Sequence, residues 1–238
     1  MGETAENLAD VGDYKRADMD AWGLMSQQRA KAAIESGFLS RQIAPIEISD
    51  GKGSKLFAQD EFPRPNVSAE KLASLKPAFR KDGRVTAGSS SGVTDGAASL
   101  VVADADALRD AHVEAEARWI DAVVVGVPPH IMGAGPAPAI GALLKKHGLK
   151  VSDIDYFEIN EAFAVVNLHA EREHGIPRNR TNLYGGGISI GHPPGATGVR
   201  MTITAMHHLA DTKGRYSIIS MCLGAGQGMA TLIENLKR

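Results

Sequence analysis

Three short segments carry side chains that could do chemistry together. They are Asn160-Glu161-Ala162-Phe163, a glycine-rich stretch from Gly185 to Gly198 that contains His192, and Cys222-Leu-Gly-Ala-Gly-Gln-Gly. All three fall at expected strand ends, where sheets flanked by helices hold their ligands. An asparagine after IDYFEI can hold a water or a carbonyl oxygen with its amide, or simply cap the next helix. His192 precedes two prolines that favour a helix start. A helix N-terminus disfavours imidazolium, so this histidine is expected to stay neutral and able to accept a proton, although a lone histidine between glycines also suits a surface turn. The same dipole would favour a nearby thiolate. Cys222 follows the strand-like SIISM, and the glycines after it leave a thiol with little cover and N–H groups alongside. Making an enolate needs that combination, a base for the α-proton and donors for the developing oxyanion. The plainer alternative is a buried core cysteine.

Other chemistries find little support. GAGQGM looks like a dinucleotide fingerprint but has Met229 where the third Gly or Ala belongs, and too few residues follow for a βαβ unit. The glycines before His192 lack the Gly-Lys-Ser/Thr of a phosphate loop. A single cysteine excludes a cysteine-rich zinc site, and the eight histidines form no HExxH. Formal net charge is −2, from 26 basic and 28 acidic residues, so global charge points to neither nucleic acid nor a membrane surface. No apolar run approaches the length of a membrane-spanning helix. The lone cysteine and a start without a basic or apolar leader fit an intracellular, cytoplasmic α/β protein.

Positioning these segments requires strands that alternate with helices. A helix is expected from an Asp18 N-cap to about Gly37, with Trp22, Met25, Ala33 and Ile34 near one face. Residues 38–85 read as an irregular excursion with short extended pieces (IAPIEI), a charged turn at Asp50-Gly-Lys-Gly and prolines from Pro63 to Pro77. AASLVVADADAL suggests a strand and then a helix. A cleaner alternation follows: DAVVVGV, PAIGALLKKHGL, IDYFEIN, AFAVVNLHAEREHG, the glycine-rich turn, and ATGVRMTITAMHHLA. YSIISM and MATLIENL close the chain, joined too tightly for a crossover and so antiparallel. A mainly parallel sheet covered by helices is expected.

Together and in order, NEAFA, GHPPGATG and CLGAGQG resemble the thiolase family of acyl-CoA C-acyltransferases. MGETAEN, TAGSSSGVTDGAA at 86–98 and MGAGPAPAI at 132–140 are similar to further family segments, so the likeness spans nearly the whole chain. The resemblance implies a thiolase-like α/β fold: the C-terminal βαβαβαββ half plus most of the loop domain, with the first half missing. Residues 1–85 would be loop-domain, coenzyme A-binding chain, 86–115 the end of the N-terminal half, and 116–238 the C-terminal domain. It implies thiolytic cleavage of 3-oxoacyl-CoA or the reverse Claisen condensation, with coenzyme A and acyl-CoA as substrates and no tightly bound cofactor. His192 would activate the acylated cysteine and serve an oxyanion hole that Asn160 completes through a water. Cys222 would move the α-proton, and the Gly224 N–H would serve a second oxyanion. Arg64, Phe79 and Ser91 match coenzyme A contacts, and Met132 and Phe163 match the wall of the pantetheine tunnel.

The departures shape the expectation. The family's nucleophilic cysteine lies upstream of Met1, and Cys222 is the only cysteine here. The chain is therefore expected to be a truncated thiolase or one partner of a split enzyme, needing an N-terminal half or partner subunit and forming a homo- or hetero-oligomer. Ser89 and Thr94 replace the usual TAGNASG and Asn-Asp chemistry around the tunnel. A non-catalytic coenzyme A-binding or assembly subunit is the alternative from another class. A decarboxylating ketoacyl synthase fits less well, because those relatives carry a second histidine where this chain has Asn160.

Overall fold

One four-stranded sheet positions all three segments, and the sequence explains its layers. In the computed structural model, which describes residues 1–49, 51 and 53–237, the strands are β3 (Ala117–Gly126), β4 (Tyr156–Ile159), β5 (Tyr216–Leu223) and β6 (Gln227–Asn235). Before them come α1 (Gly2–Val11), α2 (Arg16–Glu35), the hairpin of β1 (Ile46–Ser49) and β2 (Ser54–Phe57), α3 (Ala69–Ala73) and α4 (Ala105–Ala111). The sheet order is β3-β6-β5-β4. β3, β4 and β5 share one direction, while β6 runs against both of its neighbours. The expected parallel majority thus holds for strand direction, yet only the β4–β5 ladder is parallel, because the reversed β6 lies inside the sheet.

The interstrand helices are α5 (Pro136–His147), α6 (Ala164–His174), α7 (Gly187–Ile190) and α8 (Thr197–Thr212). α5 begins with proline and ends with Lys145, Lys146 and His147 beside carbonyls, then stops at left-handed Gly148. α6 stops in the same way at Gly175. Strand alternation sorts the core into two faces. Phe157, Ile159, Ile218 and Leu232 join α5, α6 and residues of α1 and α2 in the main core, whereas Tyr156, Ile219 and Ile233 meet Met201, Ala205 and Leu209 of α8. Ala5, Leu8, Met19 and Trp22 belong to the main core, so the first helices hold the sheet's catalytic end in place.

Several expectations change. α2 begins at Arg16 after Lys15, and Asp18 sits in its first turn, where an acid favours the helix dipole without capping it. Trp22 and Ala33 are buried, but Ile34 faces outward. AASLVVADADAL supplies only the helix: Asp104 caps α4 through the Ala107 N–H at 2.8 Å, while no strand forms over 96–104. A strand needs a neighbour for its N–H and C=O groups, and among the described residues none flanks this segment, where Val101 is 98% exposed. IAPIEI contributes β1 from Ile46 onward. The charged turn involves Asp50 and Lys52, which lie outside the described residues. The closing pair is antiparallel as expected, from Tyr216↔Glu234 to Leu223↔Gln227.

The turn of that pair is packed backbone to backbone. A Cβ on Gly228 would stand 1.9 Å from the Gly135 carbonyl oxygen, and neither backbone can yield without moving α5. Gly228→Ala should therefore cost about 2–3 kcal/mol, a Tm drop of roughly 4–12 °C. Gly126→Ala, whose Cβ meets nothing within 4 Å, serves as the control in the same calorimetric comparison. Equal melting of the two variants would refute the close approach.

Candidate active site

β4 and β5 are adjacent and parallel, with Ile159 opposite Ser220, so both deliver their next residues to the same end of the sheet. Asn160 follows β4, and its N–H donates to the Ser220 carbonyl at 2.9 Å. Cys222 lies at the far end of β5. His192 arrives in the loop between α7 and α8, tied down by its own N–H donating to the Gly92 carbonyl at 2.8 Å. The Pro193 carbonyl accepts the Ala196 and Thr197 N–H groups, so the prolines form the turn that leads into α8.

Asn160 does not cap a helix: α6 begins at Ala164, and Phe163 holds the N-cap position. Its amide turns to the histidine instead, Nδ2 to Nε2 at 3.4 Å, a long hydrogen bond. Asn160 is 1% exposed, and its Oδ1 has no hydrogen-bond partner among the described residues. On the other side of the ring, Nδ1 lies 2.7 Å from the Thr197 hydroxyl. That hydroxyl donates its one proton to the Pro193 carbonyl at 2.8 Å, so it accepts from Nδ1–H. Nε2 then carries a lone pair, which accepts from the Asn160 amide. Burial, and then the charge of Arg200, lower the imidazole's pKa and keep it neutral. The expected neutral histidine is present, but desolvation rather than a helix dipole produces it.

Cys222 reaches the same end of the sheet, and among the described residues no hydrogen bond joins it to Asn160 or His192. It packs against the main core, and burial pushes its thiol up to about 11. The thiol is protonated near neutral pH, and the thiolate-favouring dipole has no counterpart here. Gly224 follows in an exposed turn, with open space where a Cβ would stand.

The segment 86–93 threads between the two loops. Ser91 donates its N–H to the Ala162 carbonyl at 3.0 Å, Ser90 bridges Phe163, and Val93 bridges His192. Phe79 meets the Phe163 ring edge-on at 5.9 Å. The exposed Arg64 guanidinium lies over Phe62 at 5.8 Å, and Phe62 packs at Gly92. Met132 is buried in the turn ahead of α5. Phe79, Ser91 and Phe163 thus form one wall beside the site, with Arg64 at its rim. Two concavities lie elsewhere: one of about 410 Å³ near Trp119 and Tyr216 at the opposite sheet end, one of about 460 Å³ near Tyr14 and Arg172.

Two residues inside the motifs carry more than the sequence reading assigned. Thr197, of GATG, sets the histidine tautomer. Glu161, of NEAF, is fully buried and accepts from Trp22 Nε1 at 3.0 Å, Ser26 Oγ at 2.6 Å, Asn182 Nδ2 at 3.2 Å and the Ile188 N–H at 3.2 Å. Its signal in the sequence was an acid inside an otherwise apolar run. Among the described residues, no group of three His, Cys, Asp or Glu side chains could hold a metal ion.

A neutral imidazole beside a buried amide, with a protonated thiol at the same sheet end, is a site for moving protons to and from carbon and sulfur. The thiolase C-terminal domain family matches residues 113–235 and the thiolase N-terminal domain family residues 1–106. The chain belongs to the thiolase family. It is 43% identical over 235 residues to the mitochondrial 3-ketoacyl-CoA thiolase of Mus musculus, and 44% identical over 238 residues to the beta-ketoadipyl-CoA thiolase of Pseudomonas aeruginosa. Each alignment takes in 99% of this chain and 59% of the relative. The acetyl-CoA acetyltransferase structure of Bacillus anthracis superposes with a TM-score of 0.96 at 45% identity, over 99% of this chain and 60% of that one. The human mitochondrial 3-ketoacyl-CoA thiolase solved in complex with CoA gives 0.91 at 40% identity, over 99% and 58%. The chain thus spans about three-fifths of the length of the relatives it matches.

The electrostatics of His192 can be measured directly. In an NMR titration of the imidazole, its midpoint should fall below that of an exposed histidine. The unfolded chain takes up this proton more readily, so stability should decline as pH falls from the ordinary histidine value towards the folded one. A midpoint at or above the ordinary value would contradict the burial argument.

Proposed function

We propose that this chain supplies the proton-moving part of a thiolase active site, acting on acyl-CoA with a nucleophilic cysteine carried on a further segment or partner chain. The observation that carries the proposal is His192, held neutral between Thr197 and Asn160 with its Nε2 lone pair on the Asn160 side. In thiolysis, Nε2 takes the proton of the nucleophilic thiol, whose sulfur attacks the β-carbonyl of a 3-oxoacyl-CoA. The Nε2–H so formed, and a water held by the Asn160 amide, stabilise the oxyanion. The Cα–Cβ bond breaks, and the departing enolate carbon takes the proton of Cys222, leaving the shortened acyl group on the enzyme and releasing acetyl-CoA. Coenzyme A then removes the acyl group. The condensation runs these steps in reverse, with the Cys222 thiolate taking the α-proton.

A thiol pushed up to about 11 suits that task, since its thiolate is a strong base and its protonated form persists at neutral pH. Gly224 has no steric or conformational need to be glycine, which supports a role in admitting substrate to its N–H. The Phe79–Ser91–Phe163 wall, with Arg64 at its rim and Met132 behind, is the proposed coenzyme A approach. Exposed Leu100, Val101, Val102 and Trp119 support a covering segment or subunit and an oligomeric enzyme, and a cytoplasmic setting is proposed from the lone cysteine. A non-catalytic coenzyme A-binding subunit is the rival reading, and acylation distinguishes them.

The 238-residue chain alone should show no stable acyl adduct on Cys222 by intact-mass spectrometry after exposure to acetoacetyl-CoA. Sedimentation of the same chain should show self-association; a well-behaved monomer would remove the argument from the exposed apolar side chains. With a cysteine-bearing N-terminal half fused or co-expressed, Cys222→Ser should permit acylation and block condensation. His192→Ala should slow acylation itself by roughly 10²–10³. Asn160→Ala should lower turnover with coenzyme A affinity nearly unchanged. If Cys222→Ser lost acylation while His192→Ala kept it, the roles would be exchanged; no acylation in the complemented wild type would favour the non-catalytic subunit.

A further inference from the structure

The face of β4 that carries Asn160 also carries Tyr156 and Glu158, at alternate positions along the strand. α8 packs on that face, and polar partners recur along the seam. Near the sheet's catalytic end, Asn160 meets His192, whose other nitrogen is held by Thr197 at the start of α8. One helical turn on, Arg200 Nη1 donates to Glu158 Oε1 at 2.7 Å. Further along, the Tyr156 ring stacks on His208 at 4.3 Å, and the Tyr156 hydroxyl donates to Glu158 Oε2. Glu158 is 1% exposed. An ion pair at such depth is a poor source of stability, because desolvating two charges offsets most of their attraction. An apolar pair would hold α8 to the sheet equally well, so the presence of charges here calls for another explanation.

We propose that Glu158 and Arg200 are a positioning pair, which locks the end of β4 to the first turns of α8 and thereby fixes the His192 imidazole against the Asn160 amide. Among the described residues, the pair has no hydrogen bond to Asn160 or His192. It acts through the two elements, since Glu158 lies two residues before Asn160 and Arg200 three residues after Thr197. Arg200 also places a fixed positive charge towards the imidazole, and this opposes a second positive charge forming there. The other ionisable groups on the elements around the ring are Cys222 at the end of β5, Asp95 beyond the segment bridged to His192, and Asp60, whose carboxyl is raised by burial against the pull of Arg200. None of these supplies a bonded anchor between β4 and α8. The inference rests on His192 and Asn160 being the reactive pair proposed above.

The test reads the geometry without requiring turnover. In the 238-residue chain, ¹⁵N shifts of the His192 ring report its tautomer, and a pH titration reports its midpoint. Removing both charges in E158Q/R200M, which leaves no unpaired buried ion, should mix the two tautomers and raise the midpoint while far-UV circular dichroism stays native. Shifts and midpoint equal to wild type in that folded variant would overturn the proposal. Should the double variant fail to fold, Arg200→Lys decides: it keeps the charge but loses the planar fork, so the tautomer pattern should still change. An unchanged pattern there would overturn the proposal equally. In the complemented enzyme, the double variant should lose roughly tenfold to a hundredfold in acylation rate with KM nearly constant, as a small misplacement of a base does. An inactive wild type whose His192 still responds to these variants would reject the thiolase reading and keep the pair; an active enzyme with an unresponsive His192 would do the reverse.

Discussion

The carboxylate of Glu161 is the joint from which the rest of the site is built. It sits at zero exposure and accepts four hydrogen bonds, from the Trp22 indole, the Ser26 hydroxyl, the Asn182 amide and the Ile188 N–H. Those donors belong to α2, to the segment just after Thr181 and to α7, while the acceptor stands directly beyond β4. A carboxylate in such surroundings is tolerable only when its lone pairs are filled, so each donor is held in place by the cost of losing it. Asn182 extends the joint: its side chain bonds both the N–H and the C=O of Ile159, serving β4 as a neighbouring strand would. Asn160 therefore leaves the sheet from a backbone fixed on both sides, and its neighbour in sequence is the joint itself.

From that anchor, the electrostatics of the site follow from burial and not from helix ends. His192 and Cys222 are both driven towards their neutral forms, one as a base without its proton and the other as an acid with it. Desolvation dominates in each case, and it moves an imidazole down and a thiol up. One physical cause thus prepares two groups for opposite tasks. The Thr197 hydroxyl adds direction by committing its own proton to Pro193, which leaves the lone pair of the ring on the Asn160 side.

How much of this was legible in the sequence depended on whether a feature was local. The helices of PAIGALLKKHGL and AFAVVNLHAEREHG were readable, although α5 starts two residues earlier, at Pro136, and stops before Gly148, and the closing hairpin was readable too. α2 was found but its start was misplaced, since Asp18 resembles a cap and Lys15 does not, and α1 was not expected. The strand expected in AASLVVADADAL needed a neighbour that no local pattern can supply, and in the fold Val101 and Val102 face outward. The reversal of β6 was read from its tight turn, but its place between β3 and β5 could not be, because its apolar alternation is the same whichever neighbour it pairs with. In the site, the partners of His192 came from Thr197, five residues along, and Gly92, a hundred residues back. The first lay inside the quoted motif and could have been found by asking what fixes the tautomer. The second required the fold. Glu158 and Arg200 looked like an ordinary strand acid and helix cation, and only their burial shows them to be a pair.

The glycines of the motifs divide by what surrounds them, and the division separates scaffold from chemistry. Gly186 and Gly187 let the backbone pass Glu161 and Asn160, since added Cβ atoms would stand 2.6 Å from the carboxyl carbon and 3.0 Å from the amide oxygen. Gly191 has φ +100° and lies against Thr94, so it must turn where a side chain would not. Gly226, with φ +90°, and Gly228 bring the β5–β6 turn onto the backbone at Val127 and Gly135. Each of these is explained by its contacts or its conformation. Gly195 and Gly224 are explained by neither, for both have ordinary φ and empty space around them. In the proposed mechanism Gly224, directly beyond Cys222, is the one whose bare N–H meets the substrate oxyanion, and the packing leaves that approach open.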